Sequence, residues 1–158
     1  MFRFSTQESP RLKRLRAISL FNALTRKELA ILDLLLHERH YLAGEVVFDA
    51  GEEGQGIYFT LEGAVGIFHP DQAAKPFAEL GRDSFFGELA LLDDSPRMAQ
   101  ARALRDTTLA VMFRGEFLGL LETHALIASK ISLQLARHLG QRLREVAVLP
   151  LASSRGAL

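Results

Sequence analysis

Apolar residues recur at helical spacing toward both ends of the chain and at strand spacing between them. Residues 8–20 turn Leu12, Leu15 and Ile18 to one side, predicting a short basic amphipathic helix that packs this face inward. A solvated face accounts for its basic residues more simply than a membrane or nucleic-acid patch does. Thr25-Arg26-Lys27-Glu28 has capping-box spacing. It opens a second helix through Leu29, Ile31, Leu32, Leu34, Leu35 and Leu36, expected to end near His37-Glu38-Arg39-His40. From Tyr41 the period changes, and Gly44, Gly51, Gly54, Gly56, Gly63 and Gly66 punctuate short runs rich in Val, Ile, Phe and Tyr. Strands are predicted at 46–48, 57–61, 64–68 and 76–80, with a hairpin loop over 69–75. Two more follow at 99–104 and 107–113, turning at Arg105-Asp106.

The chain then returns to helical spacing. Arg114–Glu122 reads as a short helix, and Thr123 as the cap of a long one from His124 to about Val148, stopped by Pro150. Ile127, Ile131, Leu135, Leu139, Leu143 and Val146 make one stripe on it, with Lys130, Arg137, Arg142 and Arg144 largely off the stripe. That stripe can join two copies of the chain or simply cover the chain's own strands. The fold class that follows is mainly β with flanking helices, the strands closing into a small antiparallel roll or barrel. The expected organisation is a basic N-terminal helix over 1–17, a domain over 18–149, and a short tail over 150–158. Within the domain the roll occupies about 40–113 and the C-terminal helices 114–148.

Composition narrows this only a little. The 158 residues fit one domain, and 48% hydrophobic with 24% charged is ordinary for a globular chain. No apolar run is long enough to cross a bilayer, Met-Phe-Arg-Phe-Ser lacks a signal-peptide core, and there is no cysteine. A soluble cytoplasmic protein without disulfides or thiol chemistry is expected. Lys and Arg balance Asp and Glu at 19 each, but unevenly: residues 1–26 carry net +5, 27–115 net −7 and 116–158 net +2. An acidic middle argues against direct DNA binding. His37-x-x-His40 could share a helical face but has no third ligand nearby, so no metal is expected. Gly51-x-x-Gly54-x-Gly56 enters a strand and lacks the Lys-Ser/Thr of a phosphate loop. No nucleophile–base–acid set is present, and catalysis is not expected.

The chemistry concentrates in Phe85-Phe86-Gly87-Glu88-Leu89-Ala90-Leu91-Leu92-Asp93-Asp94-Ser95-Pro96-Arg97-Met98-Ala99-Gln100. A glycine before a short apolar turn lets backbone N–H groups approach an anion. Arg97 offers a planar fork that matches phosphate. Ionised Glu88 only accepts, so beside an anion it suits hydroxyls such as those of a ribose. Read physically, the segment is a pocket for a sugar phosphate. Two blander readings compete: Arg97 in a structural salt bridge to Asp93, Asp94 or Glu88, and Glu88 merely compensating a helix N-terminus.

This segment resembles the phosphate-binding cassette of cyclic nucleotide-binding domains, the module of the catabolite activators and of protein kinase A regulatory subunits. The resemblance extends over roughly 18–145, through Leu20-Phe21-Asn22-Ala23-Leu24, Gly44–Phe48, Gly51-Glu52-Glu53-Gly54, Tyr58–Gly63 and Arg114-Gly115-Glu116-Phe117. The arginine stands nine positions after the glutamate. The fold it implies is the family's β-roll, a jelly-roll or double-stranded β-helix, with N-terminal helices and a long C-terminal helix. Glu88 would accept from the ribose 2′-hydroxyl, Arg97 would pair with the cyclic phosphate, and Phe86, Gly87, Leu89, Ala90, Met98 and Ala99 would line the sugar phosphate. Met98 stands where many members carry a hydroxyl or alanine, which favours cAMP over cGMP; Gln55-Gly56 replaces a more usual acidic and polar pair. Ser129, Ser132, Gln134 and Arg137 are candidate base contacts by position only, and a helix face in water or in a subunit contact accounts for each more simply. No cofactor is implied. The partners implied are a cyclic nucleotide, cAMP first, and an effector protein reached by movement of the C-terminal helices, with a homodimer through the last helix as a further option. Only Leu151–Leu158 follow Pro150, too short for an output domain, so either a stand-alone module acting through a partner protein or a fragment of something longer is expected. The alternatives are an interaction module with a vestigial pocket, or a cyclic di-GMP receptor. The latter needs further arginines, and only Arg82 and Arg102 are close in sequence.

Overall fold

The computed structural model describes Glu8 to Ser154, with side chains through Val148. Residues 1–7 and 155–158, parts of the predicted N-terminal segment and tail, lie outside the described residues. Ser9 caps α1 (Pro10–Ala17) by accepting from Leu12 N at 3.2 Å, and Pro10 sits at the first helical position, where its missing N–H costs nothing. A single 3-10 turn, Ser19–Phe21, leads to α2 (Arg26–Asp33). The capping box at its start is complete: Glu28 N donates to Thr25 Oγ1, and Thr25 N donates to Glu28 Oε1.

Among the described residues eight strands then form two antiparallel sheets. These are β1 (His37–Tyr41), β2 (Val46–Phe48), β3 (Gly56–Glu62), β4 (Val65–Phe68), β5 (Ala78–Leu80), β6 (Phe85–Phe86), β7 (Gln100–Ala103) and β8 (Thr107–Phe113). The strand orders are β1-β8-β3-β6 and β2-β7-β4-β5. The chain ends in α3 (Arg114–Thr123) and α4 (Ala125–Ser154). This is the expected mainly-β roll with flanking helices.

Two cores hold it together. The helices bury Leu15, Ile18, Leu29, Leu32, Phe117, Leu120, Ile127, Ile131 and Leu135 against Phe59, Ile57 and Met112 of the first sheet. Phe21 and Phe59 meet at its centre, 4.7 Å between ring centroids, and each fully buried side chain of this size contributes ~1.5–3 kcal/mol. A smaller core of Phe48, Val65, Phe86, Ala101 and Leu109 lies between the sheets. It forms the floor beneath the cassette.

Three expectations need correction. His37-Glu38-Arg39-His40 is not a helix end but strand β1, paired with β8 from His37↔Val111 to Tyr41↔Thr107. Helix α2 stops at Asp33 and the chain pairs along β8 instead; Leu34, inside the predicted helix, is 84% exposed. On a strand, residues three apart face opposite ways. His37 Nε2 accordingly donates to Glu116 Oε1 (2.6 Å), while His40 lies beside Thr108 and Glu38. Thr123 does not cap α4: it ends α3, and its hydroxyl donates to Gly119 O (2.9 Å). Nor does Pro150 stop α4, which continues through it to Ser154. The hydrogen bond that proline removes falls on the carbonyl of Val146, in an exposed turn where water can take it.

Candidate ligand-binding site

The cassette is built from both sheets. Phe86 pairs with Tyr58 in the ladder and stacks on its ring, 5.3 Å between centroids and 9° between planes. The chain then turns at Gly87, φ +73°, into a 3-10 helix over Glu88–Leu91 whose Ala90 and Leu91 are buried. The backbone angle calls for glycine, and a Cβ on Gly87 would stand 2.5 Å from Arg97 Nη1 and push the guanidinium from its place. The return is set by Ser95 N donating to Asp93 Oδ1 (3.0 Å). Arg97 N donates to Glu52 O and Gly51 N to Arg97 O, which fix the arginine's backbone against the early loop. From the start of α3, Arg114 donates to the carbonyls of Ala90, Asp93 and Gly54 and clamps the far side of the turn. Its part in the cassette has no signal in the sequence, because 24 residues separate it from Ala90.

Arg97 has no carboxylate partner among the described residues. Its Nη1 donates to Gly87 O (3.1 Å), its Nη2 to Gly56 O (2.8 Å), and its guanidinium carbon lies 4.1 Å above the Phe48 ring. Its Nε is buried without a partner. Burial pushes the guanidinium below its ordinary pKa, while Tyr58, Glu52 and Glu88 act the other way. Burial likewise raises the Tyr58 phenol. The salt bridge to Asp93, Asp94 or Glu88 is therefore not formed. What remains is a preoriented cation, desolvated by aromatic rings, with its charge uncompensated by any acid in contact. An anion is the group such a site stabilises most.

Arg97 opens onto a cavity of about 350 Å³, within the range of small-molecule sites. Phe86, Gly87, Glu88, Leu89, Ala90, Arg97, Met98 and Ala99 all line it. Its apolar wall is completed by Phe48, Ile67, Phe77 and Leu80. Ser129, Ser132, Gln134 and Arg137 do not line it, and Ser129 Oγ instead donates to Leu126 O. Among the described residues of α4, Arg142 reaches the cavity, visible in the sequence only as one of the off-stripe cations. Arg82 and Arg102 are also elsewhere. Arg82 Nε lies 3.9 Å from Asp83 Oδ1, and Arg102 covers Phe68 and donates to Ala73 O. Glu88, its side chain only 13% exposed, is held by His138 of α4, a residue the sequence reading missed. Among the described residues no group of three metal-ligating side chains occurs, and no helix is long and apolar enough to cross a membrane.

Residues 38–124, more than half the chain, match the family model of the cyclic nucleotide-binding domain. The chain belongs to this family. A cyclic nucleotide-binding regulatory domain of this kind is similar to the cyclic AMP receptor protein of Thermus thermophilus, 33% identical over 138 residues, covering 86% of this chain and 64% of that protein. It is also 33% identical over 126 residues to the cAMP-dependent protein kinase regulatory subunit of Mycosarcoma maydis, covering 72% of this chain and 24% of that one. Among solved structures, the N-terminal domain of a transcriptional regulator from Streptomyces coelicolor superimposes with a TM-score of 0.74 at 28% identity. That match covers 84% of this chain and 94% of that one. The chain thus spans less than two thirds of the length of either full relative.

Proposed function

We propose that this cyclic nucleotide-binding domain is a cAMP receptor module that signals by moving α4 against a partner protein. The observation that carries the reading is Arg97: a cation fixed by two carbonyls and a ring, facing a cavity, with no acid in contact. A cyclic phosphate supplies the missing charge and accepts from the guanidinium and from the N–H groups that follow Gly87. Glu88 accepts from the ribose 2′-hydroxyl. The base lies along Ile67, Phe77, Leu80 and Met98, within reach of Arg142. Met98 offers no hydroxyl to a guanine, which supports cAMP over cGMP. Of the described arginines, only Arg97 and Arg142 line the cavity, which is thin support for the larger cyclic di-GMP dianion. Ligand contacts that differ between a docked and a released α4 shift its position, and with it the surface offered to a partner. The exposed Leu143, Val146 and Val148 are that surface, open to an effector or to a second copy of the chain. We assign the module no catalytic step and place it in the cytoplasm.

Calorimetric titration with cAMP, cGMP and cyclic di-GMP tests this. Micromolar or tighter cAMP binding is expected, with at least a ~10-fold loss in Arg97→Ala from one charge-assisted hydrogen bond. Folded protein that takes up none of the three ligands overturns the reading in favour of an interaction module.

A further inference from the structure

Glu88 has a partner outside the cavity. His138 Nε2 donates to Glu88 Oε1 at 3.2 Å, and the His138 ring packs against Phe85, 4.6 Å between centroids. The two cassette residues it touches flank the Phe86-Gly87 turn. Helix α4 is anchored just before this point by buried Ile131 and Leu135. From Gln141 to Val148 every residue is exposed. Among the described residues, His138 therefore makes the last hydrogen bond between α4 and the roll.

Glu88 lines the cavity and His138 does not. The imidazole thus holds a cavity-lining carboxylate without lining the cavity itself. A carboxylate accepts through two oxygens, so occupation of Oε1 leaves Oε2 to accept from a hydroxyl. A glutamate held in this way is ordered before any ligand arrives, which removes part of the entropic cost of binding. One turn further along the helix, Arg142 enters the cavity itself.

We propose that His138 is a positioning residue: it holds Glu88 toward the ribose hydroxyl and makes ribose recognition depend on where α4 lies. The inference rests on the reading of Glu88 as the ribose acceptor. The dependence is reciprocal, so a hydroxyl bound at Glu88 favours the docked helix.

The test compares cAMP with 2′-deoxy-cAMP on the wild type, His138→Leu and His138→Gln at one pH. A hydrogen bond to a charged carboxylate predicts wild-type discrimination of roughly 10- to 100-fold. His138→Leu should reduce it to about 3-fold or less, with the affinity for 2′-deoxy-cAMP little changed. His138→Gln keeps an N–H donor and should restore most of it. In the ligand-free protein, Glu88→Gln should shift the His138 imidazole nitrogen resonances, which a purely packing role would leave in place. Full discrimination retained in His138→Leu overturns this inference alone, and so does tighter cAMP binding in that variant, the sign of a competitor for the carboxylate. Unshifted His138 resonances remove the contact itself. A wild type that binds neither nucleotide, or both equally, overturns the ribose reading of Glu88 and this inference with it.

Discussion

The two halves of α4 carry the same apolar stripe and meet opposite surroundings. Ile127, Ile131 and Leu135 are at most 3% exposed, packed with α1, α2 and the first sheet, and Leu139 is partly covered. Leu143 and Val146, continuing the same spacing, are 71% and 63% exposed. Polar contacts follow the same division. Lys130 donates to Glu28 of α2 and His138 to Glu88, while among the described residues no hydrogen bond joins the turns beyond Gly140 to the roll. A stripe therefore reports that a helix has a side to bury, not what buries it. Here the first half belongs to the core and the second is left for something else. The transition between them falls at His138 and Arg142, beside the cavity.

The largest test of this contrast is Ile131→Ala. Truncating a fully buried isoleucine should cost about 2–5 kcal/mol in urea unfolding. A loss below ~1 kcal/mol would mean that the core closes without the first half of α4.

A smaller effect is expected at the ion pair that fastens this half to α2. Glu28 accepts from Lys130 Nζ at 2.7 Å and from Thr25 N at 2.8 Å. The Lys130 hydrogen bond first, and that of the Thr25 backbone next, hold its carboxyl below the ordinary carboxylate value. Because the folded value is the lower one, the stabilisation is complete above the unfolded value of about 4.3. It fades as the pH falls through the folded value. Glu28→Gln should remove about 1 kcal/mol or less at neutral pH and flatten that part of the acid unfolding curve. An acid limb identical to the wild type would show that the pair fastens nothing.

The smallest effect should come from Leu143→Ala, within about 0.5 kcal/mol of the wild type in dilute protein. A cost approaching that of Ile131→Ala, with sedimentation that changes with concentration, would show the second half buried against another copy.

The cassette was the most legible part of the chain because its logic is local. Gly87 takes a left-handed angle and Glu88 starts the turn after it. Phe86, Gly87, Glu88, Leu89, Ala90, Arg97, Met98 and Ala99 all reach one cavity. The capping box at Thr25 was legible for the same reason. Strand β1 was not, since Leu34-Leu35-Leu36 looks helical until β8 offers its edge. The α4 contacts were not either. A helix presents several faces, and which one meets the cavity depends on how α3 sets the helix down; Arg142 lies more than one turn beyond Arg137 and more than three beyond Ser129. His138 carries no local sign of its role, because Glu88 lies 50 residues away.

By itself the sequence determined the family, the β-roll between helices, and a glycine-led turn at Phe86-Gly87-Glu88. These follow from backbone angles, capping and side-chain periods that act over a few residues. Only the tertiary structure decided that Arg97 is held by the carbonyls of Gly87 and Gly56 rather than by an acid. It alone placed His138 against Glu88 and divided one continuous stripe into a buried half and an open one. Each of these depends on groups dozens of residues apart, brought together by the packing of the whole domain.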